Sequence, residues 1–176
     1  MKRLHRPDLF TWSVHDEAQQ VDFNGFLWKR GGGNVVVDPV PLADHDWKHL
    51  AELGGAAWVV LTNSAHVRAA RDVAARTGAA LLGPSGERDV FPVPCARWLA
   101  DGGEPVPGLV VRELHGSKTD GELALVLEDT TAVFGDLVRA HHAGALMLLR
   151  PEKLRDPARA LDSVRRLRSL HPRLEH

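Results

Sequence analysis

The amino-acid sequence predicts an α/β fold, on three observations. A strand–helix–strand succession runs through Val35–Val37, Ala57–Leu61, the helical stretch Ala65–Thr77 and Ala79–Leu82. Leu109–Leu114, Glu122–Leu127 and Thr131–Phe134 then follow one another as a strand meander. A long amphipathic helix, Arg155–Leu170, comes last. Together they give β-rich sheets of mixed topology flanked by helices.

Each element has a local reason. Leu9–Val14 and Val21–Trp28 mix aromatic and β-branched residues, as strands do. Gly31–Asn34 turns the chain into three consecutive valines, a pattern typical of a buried strand, which Pro39 ends. A helix is expected from Asp44 to Leu53, with Asp44 as N-cap and Gly54-Gly55 as the stop. In Ala65–Thr77, Val67, Ala70, Val73 and Ala74 share a face, and Gly78 closes the helix. A strand before and a strand after it make a βαβ unit, with parallel pairing and a right-handed crossover. Prolines 92, 94, 105 and 107 bracket a loop, and Glu128-Asp129-Thr130 is a tight turn. Ala145–Leu149 is apolar but of undecided type. In the last helix Ala158, Leu161, Val164 and Leu167 are expected to face inward.

A chain of 176 residues supports one substantial core, so a single domain spanning 1–176 is expected. Its formal net charge of -1 recommends neither nucleic acid nor an anionic membrane as a partner. No stretch reads as a signal peptide or a membrane span, which makes the cytoplasm the default compartment. One cysteine, Cys95, excludes an internal disulfide framework and a cysteine-rich zinc site. The proline-flanked Cys95 reads as a packing residue rather than a nucleophile. The glycine run at 31–33 precedes a strand and lacks a following Lys-Ser or Lys-Thr, so it is a hairpin turn and not a phosphate loop. Ser64 and Ser117 sit near His66 and His115, but no Gly-X-Ser-X-Gly elbow accompanies them. Serine in such turns is more often a backbone cap.

Polar residues gather after strands in Thr62–Arg68, His115–Glu122 and Gly135–His142, where α/β proteins place their sites. With Asn24-Gly25-Phe26, Val35-Val36-Val37-Asp38-Pro39, Val59-Val60-Leu61-Thr62, the run Lys118 to Leu125 and Val133-Phe134-Gly135-Asp136-Leu137-Val138, the order of segments resembles the metallo-β-lactamase-fold hydrolases. The resemblance implies an αββα sandwich of mixed sheets. It also implies where a pair of metals would sit. The family's His-X-His-X-Asp-His motif falls on Asn63-Ser64-Ala65-His66-Val67-Arg68, so its four ligand positions carry Asn63, Ala65, Val67 and Arg68, and His66 stands on a spacer. Lys118 stands where the next family histidine would be, ahead of Thr119-Asp120-Gly121-Glu122. The bridging aspartate of the Gly-Asp motif survives as Asp136. The family's last histidine belongs to a strand beyond the end of this sequence, so the fold is expected to lack that strand.

A zinc site needs roughly three or four donors converging at ~2.0–2.3 Å. Alanine and valine offer none, and arginine stays protonated. No bound metal is therefore expected, and the family's activation of a metal-held water is missing. One reading places Lys118 and Asp136 as an internal pair, with Arg68 as a second cation, since a buried lone carboxylate is costly. The other reads Lys118 as a solvated loop lysine and Asp136 as a turn cap. His141 and His142 are either an idle loop pair or, with Asp136 and His66, parts of a rebuilt single-metal site for zinc or another divalent ion. Three functions follow: a metal-free member whose pocket near Asn63, His66, Arg68, Lys118, Asp136 and His141 binds a small anionic ligand or serves an interaction; a mononuclear metal hydrolase using Asp136 and His141; and a scaffold with a closed pocket. The terminal Leu174-Glu175-His176 resembles a purification-tag junction or native sequence. An uncovered sheet edge would favour a homodimer.

Overall fold

A computed structural model describes residues 1–142 and 145–168, without the side chains of 140–142 and 168. Its strands are β1 (Lys2–Arg3), β2 (Leu9–Asp16), β3 (Val21–Trp28), β4 (Val35–Val37), β5 (Trp58–Val60), β6 (Ala80–Pro84), β7 (Arg97–Leu99), β8 (Leu109–Glu113), β9 (Leu123–Leu127), β10 (Thr131–Phe134), β11 (Val138–His142) and β12 (Ala145–Leu148). The helices are α1 (Asp44–Glu52), α2 (Ala70–Thr77) and α3 (Pro157–Arg168). Residue contacts divide the chain into two compact units. One comprises Met1–Leu61, Ala65–Leu82 and Pro92–Arg97; the other comprises Thr62–Ser64, Gly83–Phe91 and the chain from Trp98 onward.

The first unit is built on a sheet of order β1-β2-β3-β4-β5-β6-β7. Pairing is antiparallel from β1 to β4 and parallel through β4, β5 and β6, which is the expected βαβ arrangement. Val35, Val36 and Val37 are each at most 1% exposed, because parallel strands covered on both faces bury every side chain. Leu50, Val59, Val60, Leu61, Ala70, Val73 and Leu82 are buried in the same unit.

Two local expectations for this unit need correction. Asp44 is not the N-cap of α1: Ala43 holds that position without a side-chain bond, and Asp44 and Asp46 lie in the first turn, where their charge favours the helix dipole. The expected continuous helix Ala65–Thr77 is broken. Ser64–His66 forms a single 3-10 turn, Arg68 takes φ 29°, and α2 starts only at Ala70. The backbone N–H of Ala69 is spent on Pro39 O at 3.1 Å, so the interruption is held by the neighbouring strand end.

At the start of β2, Arg6 Nε and Nη2 donate to Asp8 Oδ1 and Oδ2 at 2.9 and 2.7 Å, and Trp28 Nε1 donates to Asp8 Oδ2 at 2.9 Å. The Arg6 guanidinium holds the Asp8 carboxyl below its ordinary range, against a weaker opposing push from burial. A depressed acid stabilises the fold above its unfolded pKa and loses that contribution as pH falls through the folded value. Asp8→Asn is therefore expected to cost about 1 kcal/mol at neutral pH. The difference from the unsubstituted chain should shrink as pH falls below the ordinary aspartate range and the Asp8 carboxylate takes up its proton, as read by urea melts across pH. A difference that persisted at low pH would mean that packing, not charge, dominates there.

The second unit contains the sheet β10-β9-β8 and the ribbon β11-β12, all antiparallel. Leu123 to Leu127 are all buried. Leu114, Ala124, Leu137, Ala160 and Leu167 form a core to which Phe134, Val138, Leu148, Leu154 and Val164 add. The face of α3 differs from expectation. Ala158 and Leu161 are exposed, and the buried positions are Ala160, Ser163 and Leu167. Ser163 explains the rotation, because its hydroxyl accepts the His115 N–H at 2.9 Å and donates to His115 O at 3.2 Å. A polar residue thus occupies the inward stripe. The β7 and β11 segments, read from sequence as loop, are short strands, and Ala145–Leu148, left undecided, is the strand β12.

Candidate functional site

In the second unit three loops converge: Thr62–Ser64, the β8–β9 loop and the β10–β11 loop. Thr62 and Asn63 are fully buried. Leu123 N–H donates to Thr62 O at 2.8 Å, tying the start of β9 to the first loop. Gly135 lets the third loop approach the first closely, since a Cβ there would lie 2.7 Å from Thr62 Oγ1 and 3.0 Å from Asn63 Nδ2. Ser64 N–H donates to Glu87 Oε2 at 2.9 Å, with Glu87 itself buried.

Asp136 follows Gly135, and its side chain is only 13% exposed. Two cations attend it. Lys118 Nζ stands 3.9 Å from Oδ2, and Arg139 Nη2 donates to Oδ1 at 3.2 Å while Arg139 Nε donates to the Asp136 carbonyl at 3.1 Å. The lysine is half exposed and the arginine partly so, which leaves positive charge facing solvent beside a largely covered carboxylate.

Beneath this cluster lies Glu122, which has no solvent exposure. Its Oε1 accepts the N–H groups of Asp136 and Leu137 at 2.6 and 2.7 Å, and its Oε2 accepts the Ser117 hydroxyl. Burial pushes the Glu122 carboxyl above its ordinary range. The Ser117 hydroxyl and the two N–H donors pull the other way, and the nearby Asp136 charge adds to the push. Ser117 is thereby committed as a donor to Glu122 and is not presented as a nucleophile. Asp120, in the same loop, is ion-paired with Arg155.

Other candidates lie in the first unit. His66 Nδ1 is 2.8 Å from Asp38 Oδ2, both side chains being more than nine-tenths buried, and Asp38 takes a positive φ of 45° at the end of β4. The Arg68 guanidinium stacks 4.4 Å from the Phe23 ring centroid. His141 and His142 fall on β11, and their side chains lie outside the described residues, as does Leu174-Glu175-His176. Cys95 is half-buried, and burial pushes its thiol up to about 11, so little thiolate exists at neutral pH. Among the described residues, no group of three or more His, Cys, Asp and Glu is placed to hold a metal ion. No described helix is long and apolar enough to cross a membrane.

Sequence reasoning missed three of these residues. Arg139 was detectable, because it stands three positions after Asp136. Glu122 and Glu87 gave no signal, since each reads as an ordinary surface acid.

The family model described as the metallo-β-lactamase superfamily matches residues 1–173. A search of curated proteins finds no match. Among solved structures, the chain is similar to the DIM-1 metallo-β-lactamase, with TM-score 0.73, 15% identity, and coverage of 96% of this chain and 84% of that one. It is also similar to a metallo-β-lactamase family protein from Thermus thermophilus, with TM-score 0.68, 21% identity, and coverage of 94% and 71%. A metallo-β-lactamase from Staphylococcus aureus aligns with TM-score 0.66 and 15% identity over 92% of this chain, which spans about half, 53%, of that structure. At these identities the similarity shows the fold: the mixed α/β architecture expected from the sequence is the one these proteins share.

Proposed function

Because this chain belongs to the metallo-β-lactamase superfamily, we propose that it is a member that works without the superfamily's metal pair and holds a small anionic ligand at the cation-flanked Asp136. The observation that carries the reading is the pairing of that carboxylate with Lys118 and Arg139. A bridging metal would need the carboxylate's electron pairs; here Arg139 hydrogen-bonds Oδ1, and the Lys118 ammonium 3.9 Å from Oδ2 supplies positive charge where a metal ion would otherwise stand. Lysine and arginine cannot replace the missing histidines as donors. The donor chemistry of Asn63, Ala65, Val67 and Lys118 does not fit a zinc pair.

The two cations beside Asp136 are both partly open to solvent, so an anion can reach them. A carboxylate or phosphate group would meet the Lys118 ammonium and the remaining N–H groups of Arg139. Among the described residues of this unit, Glu87 Oε1, Arg112 Nε and Thr119 Oγ1 are buried without a hydrogen-bond partner, a state that calls for a functional or structural reason. Inorganic phosphate at ten times its Kd is expected to stabilise the protein by about 1.4 kcal/mol. That is roughly a 3–5 °C rise in Tm for a chain of this size. Lys118→Ala should abolish the rise while leaving the unliganded Tm nearly unchanged, since the lysine is half exposed. An equal phosphate shift in both proteins would remove Lys118 from the pocket.

A further inference from the structure

The superfamily's metals join the strand-tip loops by drawing side-chain donors onto a shared cation. In the second unit of this chain the loops are joined with the opposite polarity. Glu122, the residue immediately before β9, is fully buried, and its two oxygens collect three donors: the N–H groups of Asp136 and Leu137 from the β10–β11 loop, and the Ser117 hydroxyl from the β8–β9 loop. Lys118 is the residue next to Ser117, and Arg139 is anchored on the Asp136 carbonyl and carboxylate. The one carboxylate therefore grips the Asp136 loop through two backbone N–H groups and the Lys118 loop through the hydroxyl of the residue next to the lysine. A buried carboxylate is costly unless its lone pairs are used, and here three hydrogen bonds use them.

We propose that Glu122 is the positioning residue of the anion pocket, doing as a hydrogen-bond acceptor what a metal ion does in the superfamily as an electron-pair acceptor: it locks the Lys118 loop and the Asp136 loop in one geometry. The proposal rests on the reading of Lys118, Asp136 and Arg139 as that pocket. It assigns Glu122 no contact with the ligand.

The test measures amide exchange by NMR on the full chain, together with inorganic phosphate titrations of the same samples. In Glu122→Ala, exchange at Asp136 and Leu137 is expected to accelerate at least about tenfold, while Val36 and Val59 in the first unit keep their protection. The Kd for phosphate should rise at least about tenfold with it. Glu122→Gln keeps an oxygen for the two N–H donors and should restore both quantities to within about threefold. If Glu122→Ala does not fold, Glu122→Asp takes its place with the same expectation, because the shorter side chain cannot span both loops. Unchanged exchange at Asp136 and Leu137 in a folded Glu122→Ala overturns the proposal. So does unchanged phosphate affinity once those amides are released, or a Glu122→Gln protein as impaired as Glu122→Ala. If the unsubstituted protein binds no phosphate but the amides respond as expected, the pocket reading fails and the loop-locking role of Glu122 stands.

Discussion

Replacing Gly116 by alanine is expected to destabilise the protein by at least about 3 kcal/mol. For a chain of this length that lowers Tm by roughly 6–12 °C, measurable by circular dichroism. Gly116 takes φ +77°, a conformation that costs an L side chain strain on its own. A Cβ there would also strike the Asp156 carbonyl, lie 2.6 Å from Ala160 N and 3.1 Å from Arg159 Cβ. These atoms cannot retreat. Asp156 N–H donates to Gly116 O at 3.2 Å, and the Asp156 side chain caps α3 by accepting the N–H groups of Ala158 and Arg159 at 3.0 and 3.1 Å. Moving the helix start would also disturb Ala160, a core residue, and the Ser163–His115 bonds. An alanine variant within about 1 kcal/mol of the parent would show that the helix start yields more easily than this packing allows.

Asp38→Ala should be the second costly change, at about 2–4 kcal/mol by chemical denaturation. The substitution strands the buried His66 imidazole without the carboxylate 2.8 Å from its Nδ1. Alanine also tolerates the φ of 45° at this position less well than aspartate does. Asp38→Asn keeps both an acceptor for the ring N–H and a residue at ease in the left-handed region. It should cost less than half as much. Equal losses in the two variants would place the cost in the carboxylate's charge rather than in hydrogen bonding and backbone shape.

The sequence made most strands legible where burial enforces a run of apolar residues. Val21–Trp28, Val35–Val37 and Thr131–Phe134 are strands over the residues expected. It failed where polar side chains take buried positions. Arg139, His141 and His142 hid β11, because no alternation survives among them. Ser163 turned α3 away from the face that a purely apolar stripe suggests. The Arg68 break in the expected long helix depends on the Pro39 carbonyl, a tertiary partner that no local propensity encodes. At the site, Lys118 and Asp136 could be read because motif positions mark them. Glu122 could not, since an acid at the first residue of a strand reads as solvent-facing, and only the folded chain brings two N–H groups and a hydroxyl onto it.

The question on which this account turns is whether cations or metal ions neutralise Asp136. Elemental analysis of tag-free protein, purified without chelator and dialysed against zinc-supplemented and then metal-free buffer, answers it. The expected result is well under one tenth of an equivalent of zinc, manganese or iron per chain. About one or two retained equivalents, lost on Asp136→Ala, would contradict the account and return the chain to metal-dependent hydrolysis.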